Sequence, residues 1–207
     1  MKTTTVINLI ILDESGSMNS IKNPIIEGLN GLMKTIKATE NEFPEQFHRI
    51  SFVTFNSNGI NNRIDFMPVR DLEFDEVIDY QPNARTPLYD AICMSVLRVK
   101  SMLEKLEDAR VLVTILTDGL ENDSKEFKHK HVKKLISQLK PKGWTFTFIG
   151  ADFDVMKVSK DIRIVNYYVF EKTEEGVSQL FDKEVIARKQ YIKKIHEGKD
   201  ASENYFD

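Results

Sequence analysis

The sequence predicts an α/β protein with a doubly wound, mostly parallel central sheet, helices on both faces and one antiparallel edge strand. Three observations support this prediction. Short apolar segments rich in β-branched and aromatic residues recur along the chain, amphipathic segments separate them, and one turn-like segment joins two neighbouring strand candidates. Strands that alternate with helices are typical of right-handed crossovers and a parallel sheet.

Five segments have the hydrophobicity of strands that are covered on both faces. They are Val6–Leu12, Ile50–Asn56, Val111–Thr117, Thr145–Gly150 and Ile164–Phe170. A weaker candidate, Arg63–Val69, follows the turn-like "NSNGINN" and is predicted to pair with Ile50–Asn56 as a hairpin. This hairpin would supply the antiparallel edge.

Apolar residues at helical spacing, together with residues suited to helix starts, predict four helices. The predicted starts are Asn23-Pro24, Thr86-Pro87, Ser124 and Thr173. The apolar stripe of the second helix continues to Leu106, and Pro141 and Gly143 should end the third. Glu174 and Glu175 near the start of the last helix complement its dipole.

Length and composition indicate one domain over residues 1–198, followed by a flexible tail over residues 199–207. The chain has 207 residues, of which 41% are hydrophobic and 29% charged, and its net charge is −3. This balance excludes a strong general attraction to nucleic acid, and no apolar run reaches the roughly 18 residues that membrane insertion requires. Cys93 is the single cysteine, which excludes an internal disulfide and predicts a reducing, cytoplasmic setting.

Hydroxyl and carboxylate side chains follow two of the predicted strands and precede a predicted helix. Asp13, Ser15 and Ser17 come after the first strand, Asp118 ends the strand Val111–Thr117, and Thr86 lies in the loop before the second long helix. Ligands of open α/β sheets bind at the carboxyl ends of the strands, so these groups should converge at one edge. Hard oxygen donors favour Mg²⁺, with Mn²⁺ and Ca²⁺ as alternatives, over zinc or copper.

The segment Asp13-Glu14-Ser15-Gly16-Ser17 resembles the D-x-S-x-S motif of von Willebrand factor type A (vWA) domains, which carry a metal-ion-dependent adhesion site. Thr86 and Asp118 lie in the matching second and third loops, and the resemblance extends from Val6 to about Ile195. It implies a Rossmann-like vWA fold. It also implies a non-enzymatic module for protein binding, often within a multi-protein assembly.

In this resemblance Ser15, Ser17 and Thr86 would bind the metal through their hydroxyls, while Asp13 and Asp118 would act mainly through water. A Glu or Asp of a partner protein would complete the coordination. Glu14 occupies a variable position of the motif and receives no role. Met67, Phe74 and Leu120 lie in or beside predicted loops and are candidates for the contact rim.

Other interpretations of these residues remain open. Asp13 and "TDG" could be turn residues, and Thr86 could be a helix cap. The chain could be a structural scaffold with a silent metal site. A third alternative is a Mg²⁺-dependent phosphohydrolase of the haloacid dehalogenase type, although those enzymes need a carboxylate as general acid where Ser15 stands. His48 and His196 are expected at the surface or its boundary.

Overall fold

A six-stranded sheet forms the centre of the protein in a computed structural model, which describes residues 4–73, 79–103, 106, 108–151 and 154–207. The strands, in chain order, are β1 (Thr4–Asp13), β2 (Gln46–Asn56), β3 (Gly59–Pro68), β4 (Ala109–Thr117), β5 (Trp144–Gly150) and β6 (Asn166–Val169). Their spatial order is β3-β2-β1-β4-β5-β6. All neighbours pair in parallel except β2 and β3, which pair antiparallel. The predicted fold class is confirmed.

The order of the strands reverses at β1. The chain proceeds from β1 to β2 and β3 on one side, and then crosses to β4, β5 and β6 on the other. The connections after β1 and β4 therefore leave in opposite directions and open a crevice at the carboxyl edge. Pairing of Leu12 with Leu116 places Asp13 beside Thr117, so the ends of β1 and β4 meet at this crevice.

Among the described residues, five α-helices flank the sheet. They are α1 (Lys22–Glu42), α2 (Leu88–Met102), α3 (His129–Leu139), α4 (Val155–Asp161) and α5 (Glu174–His196). Two separate clusters of buried apolar residues lie on the two faces of the sheet. Alternation along β1 sends Val6 and Ile10 to the face covered by α1 and α5, and Ile7 and Leu9 to the face covered by α2 and α3.

Several helix boundaries differ from those predicted. A short 3₁₀ helix, Gly16–Ile21, precedes α1, so Asn23 lies inside the first turn of α1 instead of capping it. Helix α2 ends at Met102, before Leu106. Helix α3 begins at His129 and not at Ser124, because the Ser124 hydroxyl is engaged in the preceding loop, where it accepts from Asp90 N and donates to Glu121.

The seven-residue helix α4 was not predicted, because a segment of two turns offers too little apolar periodicity to be recognised. Its local signal is a cap, since the Asp154 carboxylate accepts a hydrogen bond of 2.9 Å from Lys157 N. Strand β6 is shorter than predicted: Ile164 precedes it and Phe170 follows it, both buried.

Residues 199–207 do not match the predicted flexible tail at their aromatic end. Tyr205 and Phe206 are buried, with 3% and 8% of their surface exposed, and belong to the cluster under α1 and α5. Tyr205 donates through its hydroxyl to the Glu184 carboxylate at 3.0 Å. His48 also departs from its predicted surface position, because it is fully buried on β2.

Candidate functional site

Asp13 ends β1 as a fully buried carboxylate at the carboxyl edge of the sheet. Its Oδ1 accepts a hydrogen bond of 2.7 Å from Ser15 N, and its Oδ2 accepts one of 2.6 Å from the Thr117 hydroxyl. Burial nevertheless raises the pKa of Asp13 to about 6, and the nearby charge of Asp118 adds to this rise. Two carboxylates thus lie close enough at this edge to repel each other.

Hydroxyl groups connect the first loop to Asp118. The Ser17 hydroxyl donates to Asp118 Oδ1 at 2.5 Å, and the Oγ atoms of Ser15 and Ser17 are 3.1 Å apart. Because Ser17 has one hydroxyl hydrogen and gives it to Asp118, Ser15 is the donor to Ser17. The chain of donors runs from Ser15 through Ser17 to Asp118 and leaves oxygen lone pairs of both serines available to a cation.

Thr86 faces the same space from the second loop. A Cβ atom built on Gly119 would lie 3.5 Å from Thr86 Oγ1 and 3.8 Å from Ser17 Oγ, so both hydroxyls border the space above this glycine. The alternative role of Thr86 as a helix cap is not observed. Pro87 precedes α2, and no side chain caps the helix there.

Backbone hydrogen bonds hold the first and second loops together. Gly16 N donates to Ala84 O at 3.1 Å, and Asn83 N donates to Glu14 O at 2.9 Å. Ala84 has a φ angle of +62°, a left-handed conformation that is unfavourable for a residue other than glycine. The backbone of Ala84 is therefore strained at the point where its carbonyl oxygen accepts the hydrogen bond from Gly16 N.

Glu14, which the sequence analysis left without a role, is an organising residue beneath this pair of loops. Its side chain is buried and accepts from Arg63 Nη2 at 3.2 Å and from Gln81 N at 2.7 Å. The partner Arg63 comes from β3, the antiparallel edge strand, so no local sequence signal could have revealed the pair. The ion pair anchors the residue between Asp13 and Ser15.

The third loop is tied to the second by an amide side chain that the sequence analysis also missed. Asn122 Oδ1 accepts from Thr86 N at 2.8 Å, and Asn122 N donates to Thr86 O at 3.1 Å. These reciprocal bonds hold the loop that begins with Asp118 against the loop that carries Thr86. All five predicted site residues are consequently brought to one edge of the sheet.

A lysine is a third component of the site that the sequence does not predict. Lys172 follows β6, and its Nζ lies 2.6 Å from Asp118 Oδ2. The Asp118 side chain is fully buried, and its Oδ2 has no partner with hydrogen-bond geometry, so the contact is an ion pair without a well-aligned hydrogen bond. The position of Lys172 after a strand at the same sheet edge is the one signal that could have indicated it.

The donors fit a hard divalent cation, because three hydroxyls and two carboxylates converge and Oδ2 of Asp118 lacks an aligned donor. In the described ranges no group of three or more His, Cys, Asp and Glu side chains could hold a metal ion. Any such site here depends on hydroxyl ligands. The described residues form no histidine or thiolate metal site, and burial raises the pKa of the Cys93 thiol to about 12.

The architecture defines an open α/β sheet whose crevice lies at the switch point between β1 and β4. Comparison with solved structures then shows that the chain has the vWA fold. It is similar to the SpRpn10 VWA domain, with a TM-score of 0.59 and 12% identity over 88% of this chain and 94% of that one. It is also similar to the vWF domain of the type V pili tip protein Mfa5 from Porphyromonas gingivalis, with a TM-score of 0.62 and 10% identity over 87% of this chain and 95% of that one.

A longer similar structure is proximal thread matrix protein 1 from the mussel byssus, with a TM-score of 0.59 and 16% identity. The match includes 91% of this chain but spans only 47% of that protein. No protein-family model matches the sequence, and no curated protein matches it. Among the described residues, no helix is both long and apolar enough to span a membrane.

Proposed function

We propose that this chain is a metal-dependent module for protein binding and not an enzyme. Ser15, Ser17 and Thr86 would hold Mg²⁺ through their hydroxyl oxygens, with Asp13 and Asp118 balancing its charge, mainly through water. Mn²⁺ and Ca²⁺ are alternative ions. The bound ion would supply a Lewis-acidic position for an Asp or Glu carboxylate of a partner protein.

The observation that carries this proposal is the convergence of five oxygen-bearing side chains from three loops that are distant in sequence. The hydroxyl of Ser17 joins the first loop to Asp118, and the reciprocal bonds of Asn122 join Thr86 to the same loop. Three hydroxyls that bound no cation would not require two buried carboxylates beside them. A cation explains why both carboxylates are placed there.

Features around the edge favour a docking surface over a catalytic pocket. Leu120, two residues after Asp118, has 53% of its surface exposed and could contact a partner beside the carboxylate. Met67, on β3, is 36% exposed, but it pairs with Ile50 of β2 and lies away from the carboxyl edge. Phe74 lies outside the described residues. A phosphohydrolase of the haloacid dehalogenase type would need a carboxylate as general acid at the position of Ser15, which speaks against that activity.

Metal uptake by the purified protein tests the proposal directly. Isothermal titration of chelator-treated protein with Mn²⁺ and Mg²⁺ should show one site, and Asp13→Ala and Ser17→Ala should each weaken it at least about tenfold. Ser178→Ala, an exposed serine on α5, is the matched control and should bind as the wild type does.

Affinity capture then tests whether binding of a partner protein depends on the metal ion. Capture of protein partners should require Mg²⁺, fail in EDTA and fail with Ser17→Ala. Metal-independent capture would favour the scaffold with a silent site. Hydrolysis of phosphate esters that Asp13→Asn abolishes would favour the enzyme. We also propose a cytoplasmic location within a multi-protein assembly, supported by the single, buried thiol of Cys93.

A further inference from the structure

The contact between Lys172 and Asp118 places a cationic side chain at the candidate metal site. Nζ of Lys172 is 2.6 Å from Asp118 Oδ2, while Asp118 Oδ1 accepts from the Ser17 hydroxyl. Lys172 keeps 21% of its side chain exposed, whereas that of Asp118 is fully buried. The ammonium therefore reaches the buried carboxylate from the solvent side of the site.

The segment that carries Lys172 is built to hold this position. Thr173 N donates to Glu171 O at 2.8 Å, and the Thr173 hydroxyl accepts from Gly176 N at 3.0 Å at the start of α5. A Cβ atom on Gly176 would collide with the Glu171 carbonyl, so only glycine permits this close approach. Phe170 N also donates to Gly150 O at 3.0 Å, which fixes the other end of the segment to β5.

The ion pair between Lys172 and Asp118 offsets negative charge at the candidate site. Asp13 and Asp118 are both buried at the crevice, and two neighbouring carboxylates are unfavourable without a positive charge. Among the ion pairs of the described residues, Lys172 is the cation that meets Asp118. A divalent ion would place two positive charges at the same carboxylates. The Lys172 ammonium would then no longer be stabilised by staying beside Asp118.

We propose that Lys172 is an internal cation that occupies Asp118 in the metal-free protein and must be displaced when a divalent ion binds. This inference rests on the proposed function, because it concerns the regulation of the same site. Metal affinity is then set by competition: the free energy of the Lys172–Asp118 contact is lost on each binding event. The lysine makes the site weaker than its donors alone would allow.

Titration with Mn²⁺ alone, on the full chain, tests this competition. Lys172→Met keeps a side chain of similar length without its charge, and we expect it to bind Mn²⁺ about tenfold more tightly than the wild type. Lys172→Arg keeps the charge and should remain near the wild-type affinity. Lys189→Met removes an exposed lysine on α5, about 22 Å along the helix from its start, and should leave affinity unchanged.

Thermal unfolding supplies a second readout that does not depend on titration heats. Without metal, Lys172→Met should melt at a lower temperature than the wild type, because Asp118 has lost its cation. The rise in melting temperature on adding Mn²⁺ should be larger for this variant, since no ion pair is broken.

The outcomes separate the two proposals. Equal Mn²⁺ affinity in wild type and Lys172→Met, with binding abolished by Asp13→Ala, overturns the competition and keeps the metal site. Tight binding by Lys172→Arg as well as Lys172→Met also overturns it. Absence of Mn²⁺ binding in every variant, including Lys172→Met, overturns both. Binding by Lys172→Met where the wild type binds weakly or not at all supports both.

Discussion

Asp13 carries an energetic cost in the metal-free protein. Its carboxylate is removed from water, and burial raises its pKa from 3.8 to about 6. Since the folded pKa is above the unfolded one, ionisation opposes folding: the contribution of Asp13 to stability is favourable below about pH 4 and is lost as pH rises through 6. A buried carboxylate with this cost is consistent with the cation-binding role proposed for Asp13.

We therefore expect Asp13→Asn to stabilise the chelator-treated protein at pH 7 by about 2–3 kcal/mol. The amide oxygen can still accept from Ser15 N, and the Thr117 hydroxyl can turn to Gly119 O, which lies 3.1 Å away. Urea unfolding in EDTA measures the difference, which should shrink as pH falls towards 4.

Asp13→Ala is the matched control, because it also removes the charge but leaves Ser15 N without its acceptor. It should be less stable than Asp13→Asn at every pH. A wild type that is more stable than Asp13→Asn at pH 7 in EDTA would contradict the desolvation cost at this residue.

His48, on β2, changes the stability of the protein with pH in the opposite direction to Asp13. Burial, aided by the charge of Arg188, lowers the pKa of His48 from 6.5 to about 4. The imidazole is neutral in the fold, where its Nε2 is 3.2 Å from Gln46 Oε1 and its Nδ1 has no hydrogen-bond partner. Since the unfolded chain takes up the proton first, this stability is present above about pH 6.5 and is lost as pH falls towards 4.

His48→Gln should remove this part of the acid sensitivity. Between pH 7 and pH 4, the free energy of unfolding of the variant should rise by about 3 kcal/mol relative to that of the wild type, whatever the difference at neutral pH. Urea unfolding across this range tests the expectation, with His196→Gln as the exposed-histidine control. Parallel curves for wild type and His48→Gln would show that His48 does not titrate as described.

At the level of elements, the loop between β4 and α3 is organised by a carboxylate from another helix. Asp90, in the first turn of α2, accepts hydrogen bonds from the backbone N–H groups of Lys125, Glu126 and Phe127 at 2.7, 3.1 and 2.6 Å. Three amides that no helix satisfies thus converge on one side chain. This explains why α3 begins after the predicted Ser124.

Asp90→Ala should destabilise the protein by about 2–3 kcal/mol and speed amide exchange at residues 125–127. Asp90→Asn, which keeps one acceptor oxygen, should cost less. Asp65→Ala removes another carboxylate, one that is exposed and paired with Arg98, and should cost below about 1 kcal/mol. Equal effects of Asp90→Ala and Asp65→Ala would refute the special role of Asp90.

At the scale of the whole molecule, a buried polar network joins the sheet, α5 and the C-terminal segment. Arg188 is fully buried and donates to Asn8 Oδ1 at 2.7 Å and to the Thr114 hydroxyl at 2.8 Å, and it pairs with Glu184. Tyr205 donates to the same carboxylate. The network fixes the register of α5 against β1 and β4 and holds residues 199–207 in place.

Breaking this pair on one side should be costly. Arg188→Met leaves Glu184 buried without its cation and should destabilise the protein by about 3–5 kcal/mol. Replacing both residues, as Arg188→Met with Glu184→Leu, should recover much of this loss, because no unpaired charge remains. Chemical unfolding of the single and double variants tests the coupling, and purely additive losses would contradict it.

Local patterns in the sequence are enough to predict the layered fold and to name the five residues of the candidate site. Continuous apolar strands and helical stripes are local patterns, and a motif of alternating side chains after a strand end is readable without coordinates. Parallel strands place their carboxyl ends at one edge, so even the meeting of Asp13, Thr86 and Asp118 followed from topology. The short helix α4 and the exact start of α3 were not predicted, because their sequence signals are weak or depend on distant partners.

The groups that surround those five residues depend on how separate elements pack together. Glu14 is paired by Arg63 from the far edge strand, Thr86 is held by Asn122, and Asp118 meets Lys172 from the segment before α5. Each partner is brought close by the packing of separate elements, and a charge or an amide in the sequence does not reveal which group it will meet. Periodicity in a sequence records which face of an element is buried, whereas side-chain contacts between elements arise only when those faces come together.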